Sequence, residues 1–508
     1  MADRISLTVD GQSYDVPDGC SVAAGVMQST GLTFRQSVGG EARGPLCGMG
    51  VCFECRVTID GEAHQRSCLL SCRDGMQVET GQQTASFAYA SGSERRNVEC
   101  DVLVVGAGPG GVSAAVSAAE QGRRVVLLDE NAHVGGQIWR YDASAPTANP
   151  VDAWRTRLVD AKVTITARAA IVAQPAANEL LADVASGPVA IRYTKLILAC
   201  GARERFLPFP GWTLPGVFGA GGLQALVKSG YDIANKKIVV AGTGPLLLAV
   251  GAYLCKRGAD VTVLEQTPRG KLLRFAATLA WRQPSKLWEA FWLQWHIGLF
   301  SYHPGCWVVR AEGAHQVHAV MVSDGQSTWS LACDALACGY GLVPNLELAR
   351  LLGCAIDAGY VRVDATQQTS VPGVYAVGEL TGIGGVDKAL VEGQIAGWTA
   401  AGRHDLAADL TLARDTAENF VAALDETFSL RDELRLLPDK DTIVCRCEDV
   451  AYGPLQSHRD GREAKLQTRC GMGPCQGRIC GPAVEFLFGW HNDSVRPPIL
   501  PTTFAKLI

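Results

Sequence analysis

The stretch DVLVVGAGPGG, Asp101 to Gly111, decides the fold. An apolar run ends in Gly106-x-Gly108-x-x-Gly111, with Pro109 inside the loop, and opens into the small-residue segment Val112–Ala119. That is the order of a buried parallel strand, a tight glycine turn and a helix. The glycines let a pyrophosphate approach the backbone, where its charge meets the free N–H groups and positive end of the helix. A second strand, Val125–Leu128, ends in Asp129–Glu130, about twenty residues beyond the glycines, where a dinucleotide fold places its ribose-binding carboxylate. Either acid fits, and Asp129, the first polar residue after the strand, is the preferred one. Gly135–Gly136–Gln137 brings further backbone close to the ligand. The run Leu196–Ala202, LILACGA, reads as another buried strand ending in a small-residue turn that contains Ala199 and Gly201.

The rest of the chain sets limits on function. At 508 residues it is long enough for about three domains. A formal net charge of −5 lacks the basic footprint of a nucleic-acid binder, so no nucleic-acid partner is expected. The N-terminus, MADRISLTVDG, alternates in polarity and has no apolar signal core, which gives the expectation of a cytoplasmic protein, with peripheral association at the inner membrane as a variant. The longest apolar run, Ile238–Leu254, is broken by Gly242, Gly244, Pro245 and Gly251, and reads as strand and helix rather than a membrane span. Eighteen cysteines in such a chain argue for metal or redox chemistry.

Their spacing is specific. Two short strands flank the Asp10–Gly11 hairpin turn, and Cys47-GMGV-Cys52-FE-Cys55 with Cys68 then gives the C-x4-C-x2-C…C pattern of plant-type [2Fe–2S] ferredoxins. Gly48 and Gly50 let the loop wrap a compact cluster with N–H groups turned toward sulfur. Zinc is the competing reading, but zinc sites favour paired knuckles over one long glycine-rich loop. Cys68, directly after Arg66–Ser67, is preferred over Cys72 as fourth ligand. Near the other end, Cys445-R-Cys447 is followed by GMGP-Cys475-QGRI-Cys480, with Cys470 as a fifth thiol. This group resembles the bacterioferritin-associated-ferredoxin module, with C-x4-C where that module has C-x2-C.

A second strand, turn and helix starts at Lys237. It has Gly242 and Gly244, but Leu247 stands where a third glycine would allow the closest helix packing, and its second strand ends at Glu265, which suits ribose hydroxyls. In KLWEAFWLQWHIGLF, residues 286–300, Trp288, Phe291, Trp292, Trp295 and Leu299 share one helical stripe. A packed core helix is the preferred reading and a partner-facing surface the other. Then PGVYAVGELT, Pro372–Thr381, gives a buried strand ending in Gly378–Glu379 before a helix. With this segment the chain resembles the two-dinucleotide-domain flavoprotein disulfide reductases. The resemblance implies FAD, with Glu379 at the ribityl chain. No cysteine pair follows Gly135–Gly136, so dithiol chemistry is not expected.

Taken together, GPLCGMGVCFECRV, GARERFLPFPGW (Gly201–Trp212), GTGPLLLAV and CRCEDV with GMGPCQGRIC resemble the large subunit of heteromeric amino-acid dehydrogenases, the group of opine oxidases, hydrogen cyanide synthase and dye-linked proline dehydrogenase. The front half also resembles the alpha subunit of sarcosine oxidase. The expected fold is α/β: a two-dinucleotide-binding-domain flavoprotein, disulfide-reductase-like, flanked by an N-terminal α+β ferredoxin domain and a small helical C-terminal cluster domain. The expected boundaries are 1–82 for the ferredoxin domain, 83–99 for a linker, 100–215 with 341–410 for the FAD domain, 216–340 for the second Rossmann-like domain and 438–508 for the C-terminal domain. The expected cofactors are FAD, [2Fe–2S] on Cys47, Cys52, Cys55 and Cys68, and a second iron–sulfur cluster, [2Fe–2S] for preference, on Cys445, Cys447, Cys475 and Cys480. FMN at a partner interface, or an adenine nucleotide in the second Rossmann domain, is a further candidate. The implied partner is a D-amino-acid-oxidase-like FAD subunit, with further small subunits and a respiratory quinone or other acceptor. None of the nine histidines sits in a loop suggesting a catalytic base, so no residue is assigned a catalytic role. The competing reading is a self-contained NADH-dependent FAD/iron–sulfur reductase feeding an oxygenase or ferredoxin.

Overall fold

The structure is a computed structural model that describes residues 4–81, 95–142, 150–298, 301–491 and 494–502. The chain divides into two compact units.

One unit comprises Phe87–Arg203, Val343–Ala423 and Asp493–Ile508. Its seven-stranded sheet is built around the strand Arg96–Val105, which pairs in parallel with Val125–Asp129 on one side and Gly187–Leu198 on the other. Thr164–Ala167 extends the first side. Glu179–Val184 and Ala170–Ala176 extend the second as an antiparallel ribbon, and Val374–Ala376 pairs in parallel with the end of Gly187–Leu198. The helix Pro109–Ala119 connects the two central strands and is built from small residues because another helix, Gly385–Ala400, lies hard against it. A Cβ on Gly393 would come within 2.0 Å of the Ser113 hydroxyl, and one on Gly397 within 2.4 Å of the Ala114 carbonyl.

The other unit comprises Met1–Ser86, Glu204–Leu342 and Leu424–Asn492. Its first part is a five-stranded sheet in the order Gln12–Pro17, Arg4–Val9, Met76–Glu79, Arg56–Ile59, Glu62–Arg66, with the helix Val22–Ser29 capped by the Ser21 hydroxyl. Asp10 (φ 50°) and Gly11 (φ 81°) form the two-residue turn between the first two strands, with Val9 opposite Gln12. The second part is a parallel sheet in the order Val217–Gly219, Ala335–Gly339, Lys237–Gly242, Asp260–Glu265, Tyr302–Pro304. Leu247, fully buried, takes the space left by Gly339 in the neighbouring strand, whose Cβ would stand 3.0 Å from the leucine Cδ2. The missing third glycine is thus compensated across the sheet. The third part carries the hairpin Ile443–Cys445/Val450–Ala451 and the helices Gly461–Thr468 and Cys480–Phe488.

Several expected boundaries move. Residues 83–94 of the expected linker lie outside the described residues, while Arg96–Glu99 are not linker at all: they continue the central strand, paired with Val189–Arg192. Glu204–Pro215 group with the second Rossmann sheet rather than the first, and the C-terminal segment from Asp493 groups with the first. Its backbone is tied there by the Ile499 N–H donating to Val172 and the Thr502 hydroxyl donating to Asp183. The aromatic stripe is not a core. Trp288, Phe291, Trp292 and Trp295 are between 46% and 62% exposed and stack on one another, while Ile297, on the opposite face of the helix Pro284–Ile297, packs on Gly251. Leu299 lies outside the described residues. No helix among the described residues is long and apolar enough to cross a membrane.

Candidate redox sites

The first glycine turn divides its labour. Gly106 (φ 107°) and Gly111 permit chain crossings: their Cβ atoms would stand 2.1 Å from the Ala199 carbonyl oxygen and 1.7 Å from the Gly106 carbonyl oxygen. Gly108, the N-cap of the helix that begins at Pro109, has φ −73° and nothing nearer to its would-be Cβ than Gly136 Cα at 3.9 Å. It has no side-chain cap, so the helix's first N–H groups face this open side. Gly136 (φ 61°) is pressed onto Gly108, and the Gly135 N–H donates to the Ala107 carbonyl, which brings the Gly135–Gly136 turn to the same place. A cradle of bare backbone at a helix N-terminus fits a pyrophosphate. Gln137 sits outside it, accepting from Arg140 at an exposed position. Gly201 adds an open turn (φ 66°) whose carbonyl accepts from the Asn345 N–H.

Asp129 is held by local donors. One carboxylate oxygen accepts from the Ala107 N–H at 2.6 Å, the other from the Asn131 N–H and side-chain amide at 2.7 and 2.8 Å, and burial pushes its carboxyl up despite these donors. It is a brace for the glycine turn. Glu130, half-buried just past the strand, is the second acid at this place. Glu379 is likewise engaged: its two oxygens accept from the Gly384 and Gly385 N–H groups at the start of the next helix. Missed by the sequence reading is the buried Lys388–Glu392 ion pair at 2.8 Å. Lys388 donates to the Gly378 carbonyl and Glu392 accepts from the Gly378 N–H, so the pair fixes the Gly378 turn (φ 72°) from both sides. Burial pushes the Cys200 thiol up to about 12, which disfavours the reactive thiolate.

The second turn is built alike and then covered. Gly242 (φ 150°) meets the Gly339 carbonyl, and Gly244 (φ 97°) starts the helix Pro245–Lys256. Glu265, almost fully buried, spends its oxygens on the Gly244 and Thr267 N–H groups at 2.8 Å each. Across the turn runs the chain itself. The Phe428 carbonyl accepts from the Thr243 hydroxyl, the Ser429 carbonyl accepts from the Gln266 amide, and the Arg431 N–H donates to Gln266. The Phe428 ring lies 4.0 Å from the Cβ that Gly244 lacks and stands edge-on to Phe275. A strand ending in Glu265 signals a ribose site, but no local pattern shows a covering segment that comes from residues 428–431.

The N-terminal thiols converge. Cys47 and Cys52 Sγ atoms are 3.2 Å apart, Cys55 and Cys68 are hydrogen-bonded through their side chains, and all four are buried. The Met49 and Glu54 N–H groups donate to the Cys47 and Cys52 sulfurs, as thiolate ligands of a cluster require. Cys72 lies elsewhere, its Sγ 3.5 Å from that of Cys20. Among the C-terminal thiols, Cys445, Cys470 and Cys480 bring their sulfurs within 4.8 Å of one another, and Cys447 pairs with Cys475. Hydrogen bonds from Cys470 and then Cys480 hold the Cys445 thiol at about 3, a thiolate ready for metal. Cys470, left outside the expected ligand set, is thus part of the group. Both donor sets fit an iron–sulfur cluster.

A fold with two glycine-turn domains and a cysteine-rich front end defines a class. Residues 100–404 match the model of the pyridine nucleotide-disulphide oxidoreductase family, and residues 2–83 match that of the 2Fe-2S iron-sulfur cluster binding domain, so the chain belongs to that oxidoreductase family and carries a ferredoxin-type domain in front of it. Membership implies FAD in the first glycine-turn domain and a [2Fe–2S] cluster on the N-terminal cysteines. More particularly, the chain is 31% identical over 454 residues to an opine oxidase subunit of Rhizobium meliloti (80% of this chain, 98% of the relative). It is 30% identical over 439 residues to hydrogen cyanide synthase subunit HcnB of Pseudomonas protegens (78% and 91%). It belongs with these oxidoreductase subunits. The solved structure of L-proline dehydrogenase from P. horikoshii shares its fold, with a TM-score of 0.74 at 18% identity over 100% of this chain and 98% of that one.

Proposed function

We propose that this chain is the electron-transfer subunit of a heteromeric amino-acid or opine dehydrogenase. A secondary-amine amino acid such as octopine or nopaline is oxidised at a D-amino-acid-oxidase-like FAD subunit, and the electrons pass through this chain to a quinone or other acceptor. Bound FAD takes up electrons in pairs and iron–sulfur clusters carry them singly. The chain's own residues bind and insulate. Gly108 and Gly136 admit the pyrophosphate, the acids at the strand end, Asp129 and Glu130, face the ribose, Lys388 and Glu392 hold the Gly378 turn, and the cysteines at each end anchor a cluster.

One observation carries the choice against an NADH-dependent reductase: the segment Phe428–Arg431 lies across the second glycine turn, and Glu265 is used by backbone donors. A nicotinamide or adenine nucleotide would have to displace both. The same observation argues against an adenine nucleotide in that domain. The exposed Trp288–Trp295 face supports a partner protein, since aromatic residues in a solvent-facing patch are enriched where proteins dock. The test is anaerobic reduction of the purified chain: little bleaching with NADH, rapid bleaching on adding the partner flavoprotein and an opine. Iron and acid-labile sulfide near four per chain test the two-cluster reading, and stoichiometric zinc would end it.

A further inference from the structure

The two cysteine groups are separated in sequence by residues 69–444, yet a buried ion pair joins their loops. Glu54 lies between Cys52 and Cys55, and Arg446 between Cys445 and Cys447. The Arg446 Nε donates to Glu54 Oε1 at 3.3 Å, and the two side chains are 2% and 1% exposed. Arg35 donates to the other Glu54 oxygen at 2.8 Å. Beside them Arg43, 1% exposed, pairs with Asp449 at 2.9 Å, and Asp449 also accepts from the Gly39 N–H. Arg446 donates onward to the Trp212 carbonyl and lies over the Trp212 ring. Arg56 lies within electrostatic reach of both Cys55 and Cys447.

The charges do not cancel. Among the described residues, Arg35, Arg43, Arg56 and Arg446 face two carboxylates, Glu54 and Asp449, and the Nε groups of Arg35 and Arg43 find no hydrogen-bond partner. A buried surplus of positive charge is costly unless something anionic lies nearby. A [2Fe–2S] centre on four thiolates is such a group, negative when oxidised and more so when reduced. The surplus sits between two sets of thiols that would each hold one.

We propose that the Glu54–Arg446 pair bridges the two cysteine cages, so that one electron passes directly between them and its division is set by these two charges. This rests on the reading that both cages hold [2Fe–2S]. The step is a one-electron exchange: the electron, supplied by reduced flavin, leaves one reduced centre and arrives at the other oxidised one, with no bond or proton moving. Glu54 and Arg446 are positioning residues, since neither touches a substrate.

The test is EPR-monitored redox titration of the full-length holoprotein, with dithionite as reductant, beside iron and sulfide analysis. In the unaltered protein with both centres reduced, the two signals broaden and relax through mutual magnetic interaction. Arg446→Gln shifts the reduced-to-oxidised ratio of the centres at fixed potential about tenfold toward oxidised, the 59 mV of a one-electron couple, and Glu54→Gln shifts it about tenfold the other way. Arg446→Lys, which keeps the charge, stays near the parent. Two irons per chain in the parent overturn the two-cluster reading itself. Four irons with two non-interacting signals overturn the bridge, and that measurement needs no variant; shifts of one sign in both Gln variants overturn the electrostatic role.

Discussion

Replacing Glu204 by glutamine tests how the N-terminal cysteine loop is supported. Glu204 is 2% exposed and accepts from the Gly221 and Gly222 N–H groups at the start of the helix Ala220–Lys228. That helix start is pressed against the cysteine loop: a Cβ on Gly222 would stand 2.5 Å from the Leu46 carbonyl and 2.9 Å from the Cys47 carbonyl carbon. Burial outweighs the N–H donors and pushes the Glu204 carboxyl from 4.5 to about 7. The folded state therefore holds this proton after the unfolded state has lost it. Its stabilising contribution is complete below pH 4.5, declines as the unfolded carboxyl ionises, and is gone above pH 7, where both states are charged. At 1.36 kcal/mol per pH unit the loss totals about 3 kcal/mol. Glutamine does not titrate, and its amide cannot accept from both N–H groups, which costs about 1 kcal/mol at every pH. Glu204→Gln is thus less stable than the parent near about pH 4 and more stable near about pH 8. Guanidinium unfolding curves of both proteins at the two pH values measure the difference. A parent-minus-variant difference that is the same at both values would refute the buried-proton account.

Gly108→Val should fold, because φ there is ordinary and the nearest atom to the added Cβ is Gly136 Cα at 3.9 Å, but should purify with little flavin; flavin absorbance per chain decides, and full occupancy would place the site elsewhere. Lys388→Met leaves Glu392 buried and unpaired beside the Gly378 turn, a loss of about 3–5 kcal/mol that scanning calorimetry should detect together with weakened flavin retention. Cys475→Ser should lose the C-terminal pair of irons, and Cys470→Ser, which removes a sulfur within 4.8 Å of those of Cys445 and Cys480, should weaken their retention; full iron in the second variant would leave Cys470 outside the ligand set. Phe428→Ala removes the edge contact with Phe275, worth about 0.5–1.5 kcal/mol, and should raise any residual reduction by NADH by roughly three- to tenfold.

How much the sequence could reveal depended on whether the chemistry was local. The turn at Gly106–Gly111 and the loop at Cys47–Cys55 are each made by adjacent residues whose spacing is set by one phosphate or one cluster, so pattern and geometry coincide. Asp129 and Glu130 show the limit. Both are acidic at the right place, and only the hydrogen bonds from Ala107 and Asn131 show that the first is spent on the turn. Glu379 and Glu265 are likewise engaged by backbone donors that no local pattern shows. Helical periodicity put Trp288, Phe291, Trp292 and Trp295 on one face but did not say whether that face pointed inward. Long-range devices left no local trace: the segment Phe428–Arg431 falls in a stretch that reads as a polar connection, and Glu54 and Arg446 look like ordinary charges between cysteines.

In the proposed function electrons enter this chain from a partner's amine oxidation and not from nicotinamide. Anaerobic stopped-flow mixing of the isolated holoprotein with NADH measures it directly. The flavin should stay oxidised on the catalytic timescale and bleach only when the flavoprotein partner and an opine are added. Rapid bleaching by NADH alone would contradict it.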